Sequence, residues 1–414
     1  MPPLPLKIPP LATALPAAAT IASTLLMTDP AAIHASALVI DTHADTPQRF
    51  LDEAWDFTSP LSLNDKPGGM INLETARLGN LAAEFFAIWV EPTEHAGHFA
   101  HRALALTDAV LEQVRRHPAT LALCLSPADI LAAKAAGKFA VLLGLEGGHA
   151  IENSLALLRT FHRLGIRYMT LTWANSSDWA DASGIPPTHN GLTPFGRDVI
   201  REMNRLGMMV DVSHVSDKTF ADVLEVSSAP IIASHSGARA VTPSHRNLTD
   251  AQLRALADRG GVALVNFFPA FIDDAWRLAW LSLRAERDAM FAAEAKPFRD
   301  AGQPVPYHVA TRVDHHFTAR IPRPPLASLL AHFEHIIGVA GIDHVGIGTD
   351  FDGIPALPQG IDSAADLPRI TAALAARGHS AEDLHKLLGG NLMRVFAAVQ
   401  THAAPCMIAA ARPA

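Results

Sequence analysis

At 414 residues, with 49% hydrophobic and 18% charged, the chain can bury a large core and is neither disordered nor fibrous. Its formal charge of -8 leaves no basic surplus, which excludes nucleic acid as a partner on electrostatic grounds. Cys124 and Cys406 lie far apart and outside any Cys-x-x-Cys spacing, which argues against a disulfide framework or thiolate zinc site and leaves at most a single bridge open.

The N-terminal stretch, residues 1–35, joins a proline-rich MPPLPLKIPP to the apolar LATALPAAATIASTLLM. It reads either as a signal peptide, which would send the protein to the periplasm or outside, or as a flexible extension of a cytoplasmic protein. The second is preferred, because Pro9, Pro10 and Pro16 interrupt the segment and Lys7 is its one Lys or Arg. No later stretch is long and apolar enough to span a membrane, and the tail 401–414 lacks the hydrophobic segment of a lipid-anchor signal. Residues 36–400 read as one domain.

Within that domain, apolar runs recur at 37–43, 82–90, 139–146, 167–173, 208–214, 230–235, 261–267 and 344–350. Eight is the number of strands that a closed parallel (β/α)8 TIM-like barrel requires. Helical segments separate several of the runs. Ser126-Pro127 opens one, with a capping hydroxyl before a proline at the first helical position. Ser216 opens another; Thr249 with Gln252 and Ser380 with Asp383 read as capping boxes, and Gly260-Gly261 as a helix stop. Strands alternating with helices imply right-handed βαβ units. Two connections are long: 44–81, with turn-formers Asn64-Asp65 and Gly68-Gly69, and 270–326, an insertion between strands seven and eight. The insertion carries the helical patch WRLAWLSLRAERDAMFAAEA, which suits either a lid or dimer surface over the barrel mouth or an excursion on the outside.

Five of these runs end in residues with metal or acid–base chemistry. His43 and Asp45 close ALVIDTHAD, Glu146 closes FAVLLGLEGG, His214 closes MMVDVSH, His235 closes PIIASH and Asp350 closes HVGIGTD. Strand side chains repeat every two residues, so His43 and Asp45 share a face and can hold one ion. The two oxygens of Glu146 can bridge to a second ion completed by His214 and His235. Nitrogen and oxygen ligands suit zinc, with manganese or cobalt as alternatives. Two ions roughly 3.5 Å apart would hold a hydroxide nucleophile, with Asp350 as proton carrier. Asp41 and Asp352 flank these acids as candidate hydrogen-bond acceptors.

Several of these motifs together resemble the membrane, or renal, dipeptidases. They are DTHADTP, GLEGGHAIENSLALLR, VDVSHVSD, IIASHS, SHRNLTD, GIGTDFDGIPALPQG and GGNLMRVF, spread over about residues 37 to 400. The resemblance implies a (β/α)8 barrel and a zinc peptidase with two ions bridged by Glu146 and a hydroxide. It puts the first metal on His43 and Asp45, the second on His214 and His235, and the catalytic acid on Asp350. It assigns Arg246 to the substrate's terminal carboxylate, a role suited to a bidentate guanidinium. Free dipeptides, including those with a C-terminal D-residue, become the expected substrates, and a homodimer the expected assembly. One motif departs: YMTLTWANSS has Trp173 where the family often has a histidine that holds the scissile carbonyl. An indole donates one hydrogen bond but carries no charge. His149, just after the bridging glutamate, is the residue that could compensate. The alternatives are another metal-dependent amidohydrolase, acting on a lactam, lactone or amide, and an inactive binding homologue.

Overall fold

The computed structural model describes residues 29–61 and 69–403. Most of the N-terminal extension, the Asn64-Asp65 turn and Cys406 lie outside these residues.

Nine parallel strands form one sheet: β1 Val39–Ala44, β2 Leu81–Trp89, β3 Leu121–Leu123, β4 Phe139–Glu146, β5 Ile166–Thr170, β6 Met209–Asp211, β7 Ile232–Ala233, β8 Val262–Val265 and β9 Val345–Ile347. The main path runs β1-β2-β4-β5-β6-β7-β8-β9, each strand overlapping one of the apolar runs to within a residue, while β3 pairs only with β4. β3 is a strand that periodicity did not reveal, being three residues long with only Leu121 fully buried. The sheet closes where β9 returns to β1. Asp45 N donates to Phe351 O at 2.8 Å and Asp350 N to His43 O at 3.0 Å, so the seam is stitched by residues at the strand exits.

Burial explains the closure. Ile40, Phe85, Leu142, Tyr168, Met209, Ile232 and Leu264 fill the interior, and Val395, Phe396 and Val399 of helix Asn391–His402 pack against them. Each such side chain contributes about 1.5–3 kcal/mol on burial. Gly144 makes room for one of them: a Cβ there would lie 2.0 Å from the Tyr168 ring.

The helix starts follow the capping residues read from the chain. Ser126 Oγ accepts from Asp129 N ahead of Pro127–Ala135, and Ser216 from Thr219 N ahead of Asp217–Val226. Thr249 with Gln252 and Ser380 with Asp383 form complete capping boxes. The insertion folds into helices Asp274–Ser282, Arg284–Asp300 and Tyr307–Thr318. Its buried Trp276 and Trp280 pack with Val313 and Phe317, and Phe291, Tyr307 and Val313 line the cavity at the mouth. Of the two sequence readings, the structure places the insertion over the mouth. Among the described residues, no helix is long and apolar enough to cross a membrane, and Cys124 is a buried free thiol.

Candidate metal centre

Parallel strands in a barrel point their C-terminal ends the same way, and side chains from different strand exits therefore meet at one mouth. Here that mouth gathers His43, Asp45, Glu146, His214, His235 and Asp350, none more than slightly exposed except His214. Glu146 sits at the centre. Its Oε2 lies 3.2 Å from His43 Nε2, and its Oε1 lies 3.0 Å from His214 Nε2 and 3.6 Å from His235 Nε2. Asp45 Oδ2 is 3.6 Å from His43 Nε2. Ligand atoms of His43, Glu146 and His235 fall within 4.8 Å of one another, and so do those of His43, Asp45 and Asp350. Each oxygen of Glu146 thus faces a different set of nitrogens, the arrangement that a bridging carboxylate requires.

Supporting hydrogen bonds settle which ring nitrogen is free. Tyr168 Oη donates its one proton to Thr42 O at 3.0 Å, so the 2.8 Å contact with His43 must be a donation from His43 Nδ1. That leaves the His43 Nε2 lone pair facing Glu146. On the other side Ser234 Oγ donates to Asp211, and His235 Nδ1 donates to Ser234 Oγ at 2.7 Å, which frees His235 Nε2. Asp211 also accepts from Thr170 Oγ1 at 2.6 Å and from Ser234 N at 2.8 Å. Outer partners of this kind hold metal-binding imidazoles in one tautomer and orientation.

The donor set fits divalent ions. The Nε2 atoms of His214 and His235 approach each other to 2.9 Å, and His43 Nε2 and Asp45 Oδ1 are buried with no hydrogen-bond partner. Buried polar atoms without partners are costly, and a shared cation satisfies several of them at once. Burial would raise the Glu146 carboxyl, yet His43 and His214 hold it below the usual range, and Glu146 in turn favours a proton on His43 that a bound cation would displace. Burial, then the Arg246 charge, lowers His214 to about 3 and so keeps it neutral, the form that ligates. His214, Asp350 and Asp352 all have positive φ, at 69°, 65° and 62°, a conformation that costs non-glycine residues and tends to mark functional sites.

Asp350 lies at the seam, where Asn266 Nδ2 donates to its Oδ2 at 2.8 Å. Burial pushes its carboxyl up to about 7. Gly353 permits this crowding: a Cβ there would sit 2.1 Å from Asp45 Oδ2 and 2.4 Å from Asp350 Oδ1. Asp41 and Asp352 are hydrogen-bond acceptors, Asp41 from Thr349 and Asp352 from Thr46 Oγ1 at 2.7 Å and Met70 N at 2.6 Å.

A cavity of about 510 Å³ opens over the cluster and is lined by Asp45, Glu146, His214, Asp350, Arg246 and Trp173, among others. Arg246 is 5% exposed; its Nη2 donates to His235 O at 3.1 Å and its Nε has no partner. Burial lowers the guanidinium to about 10, so it remains a cation at neutral pH. Trp173 stands on the cavity wall, 4.8 Å from Trp89 and 6.4 Å from His214 between ring centroids. His149 is not brought into this lining. Gly147 turns at φ 94°, and the 3-10 helix Gly148–Ile151 carries His149 away so that its Nε2 donates to Val90 O at 2.9 Å. The sequence reading missed Tyr168, Asp211, Ser234 and Asn266. Asp211 alone left a trace, as a carboxylate inside the apolar run MMVDVSH.

A parallel barrel with clustered ligand groups at its C-terminal mouth defines the class of barrel metallohydrolases. Within that class the chain belongs to the membrane dipeptidase family, peptidase family M19, whose model matches residues 27–408. It is 33% identical to dipeptidase tcpJ of Claviceps purpurea (strain 20.1), over 81% of this chain and 71% of that protein. It is also 33% identical to dipeptidase 3 of Mus musculus, over 87% of this chain but only 64% of the mouse protein, just under two thirds of its length. A solved metallopeptidase of Rhodobacter sphaeroides, liganded with a phosphinate mimic of the dipeptide L-Ala-D-Ala, aligns with a TM-score of 0.69 and 29% identity over 88% of this chain and 99% of its own.

Proposed function

We propose that this protein is a zinc-dependent dipeptidase that hydrolyses free dipeptides, with the ions held by His43 and Asp45 on one side of Glu146 and by His214 and His235 on the other. The observation that carries the reading is a single cavity joining that split carboxylate to the buried, under-partnered Arg246 cation. Bound ions would supply Lewis-acid polarisation of the scissile carbonyl and a lowered pKa for the attacking water.

The remaining work falls to side chains. Arg246 grips the terminal carboxylate, since a desolvated guanidinium with an open Nε gains most from an anion. This fixes the distance from the scissile bond to the chain end, so long peptides do not fit. Asp350, with Oδ2 tied to Asn266, takes the water's proton on its free oxygen and returns it to the leaving amine. Trp173 and Trp89 wall the cavity and exclude water. The Rhodobacter relative's bound mimic of L-Ala-D-Ala supports extending the substrate range to a C-terminal D-residue.

The test is hydrolysis of free L-L and L-D dipeptides, with C-terminally amidated copies as controls, by protein whose zinc content is measured. Free dipeptides should be cleaved and the amides left intact, with two ions per chain. Equal cleavage of the amides would sink the Arg246 role, and loss of all activity on chelation followed by recovery with zinc is required.

A further inference from the structure

The cavity is larger than two small residues need, and its volume falls within the roughly 300–1,000 Å³ typical of pockets for drug-sized ligands. The space is not distributed evenly. Arg246 Cζ lies 5.3 Å from the Phe271 ring, so the clamp for the substrate carboxylate opens directly onto an aromatic wall. Phe268, Phe291 and Val313, from the insertion or its flank, line the same cavity, as does Ile354 from the loop after β9. The wall is braced from behind. Phe268 meets Phe271 at 5.0 Å, Trp276 at 5.5 Å and Trp280 at 6.3 Å, and the two tryptophans stack at 5.3 Å.

Two arginines of the insertion are paired with its carboxylates. The Arg287 guanidinium lies 3.6 Å from the Trp280 ring and pairs with Asp314 at 3.3 Å, and Arg284 pairs with Asp288 at 3.6 Å. Aromatic rings thus stand beside Arg246, in a cavity whose lining also includes Glu91, Ser183, His245 and Asp352.

We propose that this wall makes the enzyme select dipeptides whose C-terminal residue, the one bearing the clamped carboxylate, is large and apolar, and that Phe291 is a specificity-determining residue. The proposal rests on the dipeptidase reading, with Arg246 as clamp. A pre-formed apolar pocket discriminates by the surface it buries, and each added methylene is worth about tenfold or more.

The experiment measures kcat/KM of the zinc-loaded full chain for Ala-Ala, Ala-Leu, Ala-Phe, Ala-Asp and the reversed Phe-Ala, then repeats it with Phe291→Ala and Phe291→Leu. Ala-Phe is expected to exceed Ala-Ala by about tenfold or more, with Ala-Asp lowest and Phe-Ala below Ala-Phe. The Ala-Phe to Ala-Ala ratio should fall several-fold in Phe291→Ala and less in Phe291→Leu. A flat series, or Phe-Ala above Ala-Phe, overturns the proposal while leaving the dipeptidase reading in place. So does a wild-type preference that both variants retain unchanged. Failure to cleave any free dipeptide overturns the dipeptidase reading and this proposal with it.

Discussion

His43 shows how much of the site depends on groups that touch no substrate. Its Nε2 is available only because Tyr168 passes its own proton to Thr42 O and receives one from Nδ1. Outer partners of this kind are commonly worth 10- to 100-fold in metal affinity. Tyr168→Phe should therefore weaken zinc binding by about that factor, read by chelator competition, with the fold intact by circular dichroism. Unchanged affinity would mean that Tyr168 only fills space. Arg246 carries the opposite kind of role, as a buried cation whose partner arrives with the substrate. Removing it should cost about 2 kcal/mol or more, a fall of about thirtyfold or more in kcat/KM for free dipeptides that comes mainly from KM. An unchanged KM would refute the clamp.

The elements were legible to the extent that they are local. Eight apolar runs marked the eight strands of the main path, and hydroxyl caps marked helix starts because an N-cap is settled within four residues. β3 stayed hidden because a three-residue strand buried on one side has no period to detect. The strand-exit residues were legible by position; their supporting cast was not. Tyr168 and Asn266 matter through partners far along the chain, and nothing in their own neighbourhoods announces it; Ser234 joins its neighbour His235 to the more distant Asp211. His149 shows the converse: one residue of positive φ at Gly147 is enough to take a histidine next to the site out of the cavity. β4 supplies a prediction of its own. Gly144→Ala would drive a methyl into the Tyr168 ring, and overpacking of this kind costs about 1–3 kcal/mol. Urea unfolding should show that loss, and a variant as stable as the parent would show that the ring can move aside.

At the scale of the molecule, a buried histidine contributes to the loss of stability in acid. His332, on helix Leu326–Ala340, is fully buried; its Nδ1 accepts from Ala238 N at 2.9 Å, and burial lowers it to about 4. The unfolded chain titrates this group near 6.5, so below that pH the unfolded state binds the extra proton. The stabilisation is complete above 6.5 and is lost as pH falls toward 4, by up to about 3 kcal/mol. Urea melts at pH 7 and pH 4.5 should show a smaller difference for His332→Gln than for the parent. Equal differences would assign the acid sensitivity elsewhere.

The seam between β1 and β9 has a consequence in time as well as in space. Translation delivers His43 and Asp45 early, while Asp350 and Phe351, which close the ring against them, emerge only after most of the chain has been made. Until then the growing polypeptide carries an open sheet with its first ligands beside an unpaired edge. A fragment that stops short of β9 carries the five proposed ligands and Arg246 but lacks Asp350 and the closing seam, so it holds a ligand set without the acid that the proposed reaction needs.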